Sequence, residues 1–514
     1  MTPPSPGDEP PLRANGPAGP PDPSSIETAA RSDEPLAGAA PTGAPVTAEV
    51  DVAIVGAGPA GAAAAIELAR AGREVLLLDK ASFPRDKCCG DGLTAGALRR
   101  LEALELDPAT IPSFLTLSGF AVRSPSGRVA RLPLPGTGTY AAVARRADLD
   151  ASLVARAVEE GAILRERCAV TGAATSGDGV RLGLEGGTAV QARYVLGADG
   201  AWSPLRRALG VADEPGYLGE WYAFRRYYRE TGPAASDLWV FFEPELLPGY
   251  AWSFPLPDRR ANVGFGYLRA PGLRAATMAK SWEWLLARSH VAEVLGDDAQ
   301  PDGRDKAWPI PARLGRSALS ALGGRVLFIG DAARATDPLT GEGIGQALET
   351  ASMAAESVLV AGPTRPEVAS ARYERSLQRG LALDNRFAGV LSHLLRTPAR
   401  ARAAVRIGAT SAGLRRAVGR WAFEDYPRAL FGTPARWRPG SFRPPPPYGP
   451  TCQGATGADP APGAARGAAT DRVGRLPRGT APRAGGPAPR AGATAPQVVA
   501  RPTGQETPVP PSPQ

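Results

Sequence analysis

The chain has 514 residues, a formal net charge of +8 and four cysteines that show neither metal-ligand spacing nor a disulfide framework. We therefore expect a reducing cytosol and no bound metal. The first residues lack the basic start and apolar core of a signal peptide, and no run of about 18 apolar residues predicts a membrane span.

Both ends of the chain have the composition of disordered segments. Residues 1–47 and 439–514 are dominated by small residues and proline and contain few large apolar side chains. Such segments bury too little apolar surface to offset the entropy of ordering. We predict two disordered tails around a region long enough to build a large core.

The folded region begins with a strand and a glycine-rich turn. The apolar run Val52–Val55 leads into Gly56, Gly58 and Gly61, in the order G-x-G-x-x-G. The first glycine permits a tight turn, the second admits a pyrophosphate, and the third lets helix and strand pack closely. The pattern predicts a dinucleotide-binding unit.

The next elements complete that unit. Residues 62–70 read as a helix, whose N-terminus would direct N–H groups and the positive end of its dipole at phosphates. A second strand, 74–78, ends at Asp79. This acid stands about 20 residues after the glycines, where a carboxylate accepts from a ribose hydroxyl.

A charged loop, residues 82–94, follows the unit. It contains Arg85, Lys87, Cys88 and Cys89. Beside a dinucleotide site the two cations could neutralise phosphates, and a thiol could face the reactive ring. A surface loop with incidental cysteines has the same residues, so both interpretations stay open at this point.

Short strands and one helix occupy the next hundred residues. We predict a helix at 148–160 and strands at 163–171, 180–184 and 194–196, the last ending near Asp199 and Gly200. An acid and a glycine at the carboxyl end of a strand suit a ligand crevice. An ordinary turn would look the same.

Residues 218–268 alternate aromatic and polar positions and predict a β-rich insert. Within it, Tyr250, Trp252 and Phe254 stand at alternate positions. Alternate side chains of a strand lie on one side of its sheet. They could line an apolar pocket or pack a core.

A second glycine-rich helix start follows a buried strand at 325–329. Gly330 and Asp331 end the strand, and Gly343 and Ile344 lead into a helix at 346–360. An anionic reduced flavin is a good ligand for such a helix dipole, whereas a nicotinamide alone would not need this second site.

The C-terminal part of the folded region is helical and basic. Eleven arginines lie between Arg386 and Arg438, against only Glu424 and Asp425. An anionic membrane surface is one partner that this segment fits, and an arginine-rich solvated face is the plainer interpretation. We expect no nucleic acid.

Taken together, these motifs resemble those of flavoproteins of the aromatic-hydroxylase-like superfamily. The resemblance implies an FAD site, with Arg146 beside the flavin and Val170 near the adenine. The residues that it places on FAD are Gly56, Ala57, Gly58, Pro59, Ala60, Gly61, Asp79, Lys80, Cys89, Gly90, Arg146, Val170, Asp199, Gly200, Gly330, Asp331, Gly343 and Ile344.

Within that superfamily the chain is similar to the geranylgeranyl reductase family. The loop around Cys89 resembles the K-x-C-G-D-G motif of the family, and 250–255 resembles its Y-x-W-x-F-P motif. The resemblance implies that Tyr250, Trp252 and Phe254 line a prenyl-lipid pocket. It implies an α/β fold: a Rossmann-type FAD-binding domain with an inserted β-rich substrate domain and a helical C-terminal segment.

The predicted domain boundaries follow from these assignments. Around the tails we expect an FAD-binding domain at 48–217 and 305–365, the insert at 218–304, and a helical basic segment at 366–438. The basic segment would place a cytoplasmic protein at the inner face of the membrane.

The family resemblance implies that the protein saturates C=C bonds of a polyprenyl chain, in a geranylgeranyl lipid or a menaquinone. FAD would be reduced by NADPH or NADH, and Cys89 is the candidate catalytic residue. A monooxygenase, hydroxylase or halogenase of the same superfamily is the first alternative. A non-catalytic prenyl-lipid-binding flavoprotein is the second.

Overall fold

A computed structural model describes residues 44–212, 217, 219–269 and 275–430. Of the predicted tails, residues 44–47 lie within these ranges, and the first strand, which begins at Val46, overlaps the N-terminal tail by two residues. The strands are β1 (Val46–Val55), β2 (Val75–Leu78), β3 (Gly92–Thr94), β4 (Leu115–Thr116), β5 (Gly119–Arg123), β6 (Val129–Pro133), β7 (Ala141–Val143), β8 (Ile163–Arg165), β9 (Val170–Ser176), β10 (Gly179–Leu184), β11 (Ala189–Gly197), β12 (Trp221–Arg229), β13 (Leu238–Phe241), β14 (Tyr250–Leu256), β15 (Arg260–Leu268), β16 (Gln300–Ile310), β17 (Ser320–Ala321) and β18 (Val326–Phe328). The helices are α1 (Pro59–Arg70), α2 (Ala95–Ala103), α3 (Arg146–Glu159), α4 (Pro204–Ala208), α5 (Ala275–Leu286), α6 (Ser289–Leu295), α7 (Ile344–Ala361), α8 (Pro366–Arg379), α9 (Leu381–Leu394), α10 (Pro398–Gly408) and α11 (Ala412–Ala422).

The first sheet has β1 near its centre. Its strand order is β17-β18-β11-β1-β2-β8, and the β9–β10 hairpin pairs with β11. The strands β18, β11, β1, β2 and β8 are parallel. Val52, Ala53 and Ile54 are at most 1% exposed, as expected for a parallel strand that is covered on both faces.

The predicted length of one strand in this sheet is wrong. The apolar pattern at 163–171 predicts a single strand, whereas the structure has β8 and β9 with a break between them. Arg167 has φ of +50°, which a regular strand does not allow. The N–H of Cys168 then donates to the carbonyl of Asp79, which attaches the break to the end of β2.

The second sheet is wider than the predicted insert. Its order is β16-β12-β15-β14-β13-β5-β6, so the β5–β6 hairpin, which precedes the insert by about 85 residues, forms one edge. Strand β16 also extends beyond residue 304, to Ile310. The pairs in this sheet are antiparallel except β13 with β5.

The C-terminal helices pack against both sheets. On α8, the hydroxyl of Tyr373 donates to the carbonyl of Phe328 at 2.6 Å, which holds the helix to β18. At the other end, Phe423 meets Phe120 of β5 edge to face, with ring centroids 5.3 Å apart. The last helices therefore close over the β5–β6 edge of the second sheet.

The described residues contain neither a membrane-spanning helix nor a metal-binding cluster. No helix there combines the length and apolar character needed to span a bilayer. In that same part of the chain, no group of three His, Cys, Asp or Glu side chains is arranged to hold a metal ion.

Candidate active site

A single cavity of about 940 Å³ runs from the carboxyl ends of the parallel strands of the first sheet to the second sheet. This volume is in the range of small-molecule and cofactor sites. Its lining contains all but two of the residues that the sequence predicts for FAD or substrate: Gly56, Gly58, Pro59, Ala60, Asp79, Lys80, Cys89, Gly90, Arg146, Val170, Asp199, Gly200, Tyr250, Trp252, Phe254, Gly330, Asp331, Gly343 and Ile344.

The two predicted residues outside the lining, Ala57 and Gly61, support the turn from behind. The N–H of Ala57 donates to Oδ2 of Asp79 at 2.8 Å. A Cβ on Gly61 would lie 1.8 Å from the carbonyl oxygen of Gly56. Gly61 is therefore the contact at which α1 meets the turn, and a larger residue would separate them.

The start of α1 is left open for a ligand. Gly58 is the N-cap of α1, and no side chain caps the helix there. A Cβ on Gly58 would meet only the guanidinium of Arg85, at 3.5 Å. Free N–H groups and an approach that only glycine allows are what a pyrophosphate at a helix N-terminus requires.

A second open helix start lies across the cavity. Gly343 is the N-cap of α7 and has no side chain to cap the helix, and of the N–H groups in the first turn that of Gly345 donates to Glu342. Beside it, Thr336 donates to Oδ1 of Asp331 at 3.1 Å, which orients a carboxylate predicted for FAD. Gly330 has φ of +59°, a conformation that favours glycine.

Three residues that line the cavity have a buried polar atom with no hydrogen-bond partner among the described residues: Nζ of Lys87, Oδ1 of Asp199 and Nε1 of Trp308. Lys87 lies over the ring of Trp308, 3.5 Å from the centroid, and burial lowers its pKa to about 8. A cation and an acceptor left unpaired suit a ligand with anionic groups and hydroxyls. With the two open helix starts, these atoms fit FAD.

Arg146 and Arg85 meet at one buried acid. Arg146 binds Asp150 through two hydrogen bonds of 2.7 and 2.8 Å, and Arg85 lies 3.1 Å from the same carboxylate. Arg85 also lies 3.8 Å from Asp79. The two cations are therefore held along the FAD-binding end of the cavity.

The loop of Cys89 is organised by Asp91. The buried carboxylate of Asp91 accepts from the hydroxyl of Tyr227 at 2.7 Å and from the N–H of Arg146 at 3.2 Å. Asn262 donates both to Asp91 and to the carbonyl of Cys89. Burial raises the pKa of Cys89, so its thiol keeps its proton near neutral pH.

The aromatic wall, which we define as Tyr250, Trp252 and Phe254, lies on one face of β14. Successive ring centroids are 6.0 Å apart. A Cβ on Gly90 would lie 3.2 Å from the ring of Phe254, and a Cβ on Gly264 would lie 2.3 Å from that of Trp252. Gly90 in the loop of Cys89 and Gly264 on β15 therefore make room for the wall.

The sequence left the role of Lys87 open and gave no sign of a role for Glu342. Both residues line the cavity. The cavity also extends into an apolar arm between the β5–β6 edge and the last helices. We define this arm by its lining residues Phe120, Val122, Ala130, Leu132, Leu238, Val240, Leu395, Ala401, Ala404, Val405, Val418, Trp421 and Phe423.

Comparisons with known proteins agree with this geometry. Residues 49–231 match the model of an FAD binding domain. A menaquinone reductase of Mycolicibacterium smegmatis is 35% identical over 365 residues, which span 62% of this chain and 81% of the relative. Digeranylgeranylglycerophospholipid reductase 1 of Methanopyrus kandleri is 33% identical, over 57% of this chain and 76% of the relative.

Solved structures share the fold. A geranylgeranyl bacteriochlorophyll reductase-like protein of Thermoplasma acidophilum aligns with a TM-score of 0.61 at 20% identity, over 71% of this chain and 92% of that one. Halogenase PltM in complex with phloroglucinol and FAD aligns with a TM-score of 0.55 at 19% identity, over 72% and 85%. These likenesses confirm the predicted α/β fold.

The FAD-binding match, the two open helix starts and the identity to named reductases over most of their length lead to one conclusion. The protein is an FAD-dependent oxidoreductase, and the chain belongs to the geranylgeranyl reductase family.

Proposed function

We propose that the protein saturates isolated C=C bonds in the polyprenyl chain of a membrane lipid, either the side chain of a menaquinone or a geranylgeranyl chain. The observation that carries this proposal is one continuous cavity, which joins the FAD-binding end, the aromatic wall and the apolar arm. The relatives described above are a menaquinone reductase and a digeranylgeranylglycerophospholipid reductase, which supports the same class of substrate.

The apolar arm suits a long hydrocarbon chain. Its lining contains only apolar side chains, contributed by β5, β6, β13 and the last helices. Burying a prenyl chain there removes apolar surface from water, at about 25 cal/mol per Å². A chain entering through the arm would reach the aromatic wall, where Trp252 and Phe254 flank the loop of Cys89.

Bound FAD, once reduced, supplies the hydride for such a reaction. An isolated alkene has no carbonyl to polarise, so the protein must contribute position, exclusion of water and a proton. The aromatic wall fixes the position of the double bond, and the arm excludes water. Cys89, whose pKa is raised by burial, holds a proton in the same part of the cavity.

We propose NADPH or NADH as the electron donor, entering at the FAD-binding end. Arg85 and Lys306 line the cavity there and are both partly exposed. Such cations favour the phosphates of a visiting dinucleotide. Stopped-flow reduction of the bound flavin by each nucleotide tests the donor.

We also propose that α9, α10 and α11 hold the protein on the cytoplasmic membrane surface. Residues 385–423 contain eight arginines and no acid. Large apolar side chains stand exposed among them: Ile407 is 62% exposed and Val390 is 60% exposed. Apolar residues that enter the interface, flanked by cations that attract anionic lipid, are the features of an interfacial helix. The apolar arm ends between the same helices.

The test is mass spectrometry of cellular prenyl lipids with and without the chain, followed by the same reaction with the purified, flavin-loaded protein. We expect a more saturated prenyl species to disappear without the chain and to form in vitro without oxygen. Turnover that requires oxygen would instead indicate a hydroxylase or halogenase. Lipid binding without any flavin reduction would indicate a non-catalytic protein.

A further inference from the structure

Glu342 is a carboxylate that the family motifs leave without a role. It stands between two glycines at the start of α7 and lines the cavity. Its Oε1 accepts from the N–H of Gly345 at 2.6 Å, which fixes the direction of the side chain. Cys89 and Tyr250 line the same cavity, and besides burial the charge of Glu342 contributes to raising the pKa of each.

A second acid, Glu424, lies behind Glu342, and its side chain is 16% exposed. Its Oε2 accepts from the hydroxyl of Thr94 at 3.2 Å, and its Oε1 accepts from Gln346 at 2.9 Å and from Arg428 at 3.2 Å. A Cβ on Gly345 would lie 3.3 Å from the Glu342 carboxyl and 3.5 Å from the Thr94 hydroxyl. One small region therefore holds both acids and the hydroxyl.

The single arginine of this region forms its ion pairs with Asp337 and Glu424, and its charge only partly offsets the raised pKa of Glu342. Arg428 lies 3.0 Å from Asp337 and binds Glu424, and it is 2% exposed. Among the described residues, no cation lies within ion-pair distance of Glu342. We call Asp337, Glu342, Glu424 and Arg428 the acid cluster: it sets three carboxyl groups against one cation.

This arrangement keeps a proton on the cluster. Burial raises the pKa of Glu342, and the neighbouring Glu424 raises it further. Burial likewise raises the pKa of Glu424. Because Glu342 and Glu424 titrate as a pair and both have raised pKa values, one of the two retains a proton near neutral pH.

An acid in this cavity has access to a bound alkene. Glu342, the aromatic wall and the loop of Cys89 all line the same cavity. A general acid works best when its pKa lies near the operating pH. The ordinary pKa of a carboxyl lies below neutral pH, so raising it brings it closer to the operating pH. The ordinary pKa of a thiol lies above neutral pH, and burial of Cys89 raises it further away.

We propose that Glu342 is the catalytic acid of the reduction and that Glu424, Thr94 and Arg428 are positioning residues behind it. One alkene carbon would accept a hydride, that is, a hydrogen with its electron pair, from bound reduced FAD. The flavin would thereby be oxidised. The other carbon forms a C–H bond with the proton of Glu342 as the O–H bond breaks. The carboxylate then regains a proton from water. The inference rests on the proposed function.

The test compares Glu342→Gln with the wild-type holoenzyme. Gln retains an oxygen that can accept from Gly345, so folding and FAD content should be kept. Flavin reduction by the donor should also be unchanged, while the rate of alkene saturation should fall by about 100-fold or more. The matched control is Glu356→Gln, because Glu356 lies on the same helix and its side chain is 61% exposed.

Infrared spectra provide a readout that does not depend on turnover. The C=O stretch of a protonated carboxyl should be present in the wild type and in Glu356→Gln and absent in Glu342→Gln. In the wild type, saturation should decline as pH rises through the raised pKa, since only the protonated acid can donate. A conservative Glu342→Asp variant should restore part of the rate.

Two outcomes would overturn the inference. One is a Glu342→Gln variant that saturates alkenes within twofold of the wild type and with the same pH profile. The other is a carboxyl C=O stretch that the substitution does not remove. An inactive wild type would instead overturn the proposed function, so the two failures are separable.

Discussion

Asn262 donates from Nδ2 to the Oδ2 of Asp91 at 2.7 Å, across 171 residues of chain. The same Nδ2 donates to the carbonyl of Cys89 at 2.8 Å, while Oδ1 accepts from the indole of Trp252 at 3.1 Å. One buried amide therefore holds together the cysteine loop, β15 and the aromatic wall.

Replacing Asn262 should damage stability as well as the site. In Asn262→Ala, Asp91 and Trp252 lose a buried partner, and leaving buried polar groups unsatisfied costs about 2–4 kcal/mol in total. Urea unfolding of the two proteins measures this difference. The matched amide deletion is Gln191→Ala, which removes one partly buried bond to Ser176 and should cost about 1 kcal/mol or less. Equal losses in both variants would contradict the assigned role of Asn262.

Alanine substitutions at two glycines of the first motif should have different effects, one on FAD affinity and the other on the stability of the fold. Gly58→Ala places its Cβ in open space beside Arg85, so the FAD-free protein should keep its thermal stability while FAD affinity falls. Gly61→Ala forces a Cβ against the backbone of Gly56, so the fold itself should be destabilised. Thermal melts of the FAD-free proteins, with flavin titration, separate the two effects. A stable Gly61→Ala would show that the close packing is not required.

Lys87 should lower the free energy of unfolding of the FAD-free protein. Burial lowers its pKa from 10.5 to about 8, which corresponds to about 3 kcal/mol against the charged form. Below pH 8 the folded state must hold a buried ammonium, so Lys87→Met should be more stable than the wild type by up to that amount. As pH rises to about 10.5 the unfolded state loses the extra proton, and the difference should vanish.

Urea midpoints of both proteins across this pH range measure the effect of Lys87. The same substitution should weaken FAD binding, because it removes the unpaired cation from the cavity. A stability difference that stays constant with pH would mean that the ammonium is not the cause.

Charge reversal on α10 should release the protein from anionic membranes. Arg400, Arg402 and Arg406 are exposed, and each cation near a membrane surface contributes about 1 kcal/mol. The triple change to Glu should lower the affinity for anionic vesicles, measured by co-sedimentation, by about 100-fold or more. Reversal of the exposed Arg128, Arg375 and Arg379 makes the same change in charge elsewhere and should have little effect. Unchanged binding of the α10 variant would refute the membrane proposal.

The amino-acid sequence by itself determined the local features of the site. The glycines at Gly56 and Gly343, and the acids at Asp79 and Asp331, stand at the ends of strands and the starts of helices, as their spacing predicts. These features depend on backbone geometry within a few residues, so a short pattern is enough to identify them. The aromatic alternation of Tyr250, Trp252 and Phe254 was readable for the same reason.

Only the tertiary structure decided which distant segments meet. Nothing in the alternation of β5 and β6 indicates that they join the sheet of the insert, because strand partners far apart in sequence leave no local signal. The same holds for the bond between Asn262 and Asp91. The raised pKa of Glu342 also requires Glu424, which is brought beside it by a helix that ends 80 residues later. Burial and long-range charge are properties of the packed molecule, and they turn an acid in a glycine-rich turn into a candidate proton donor.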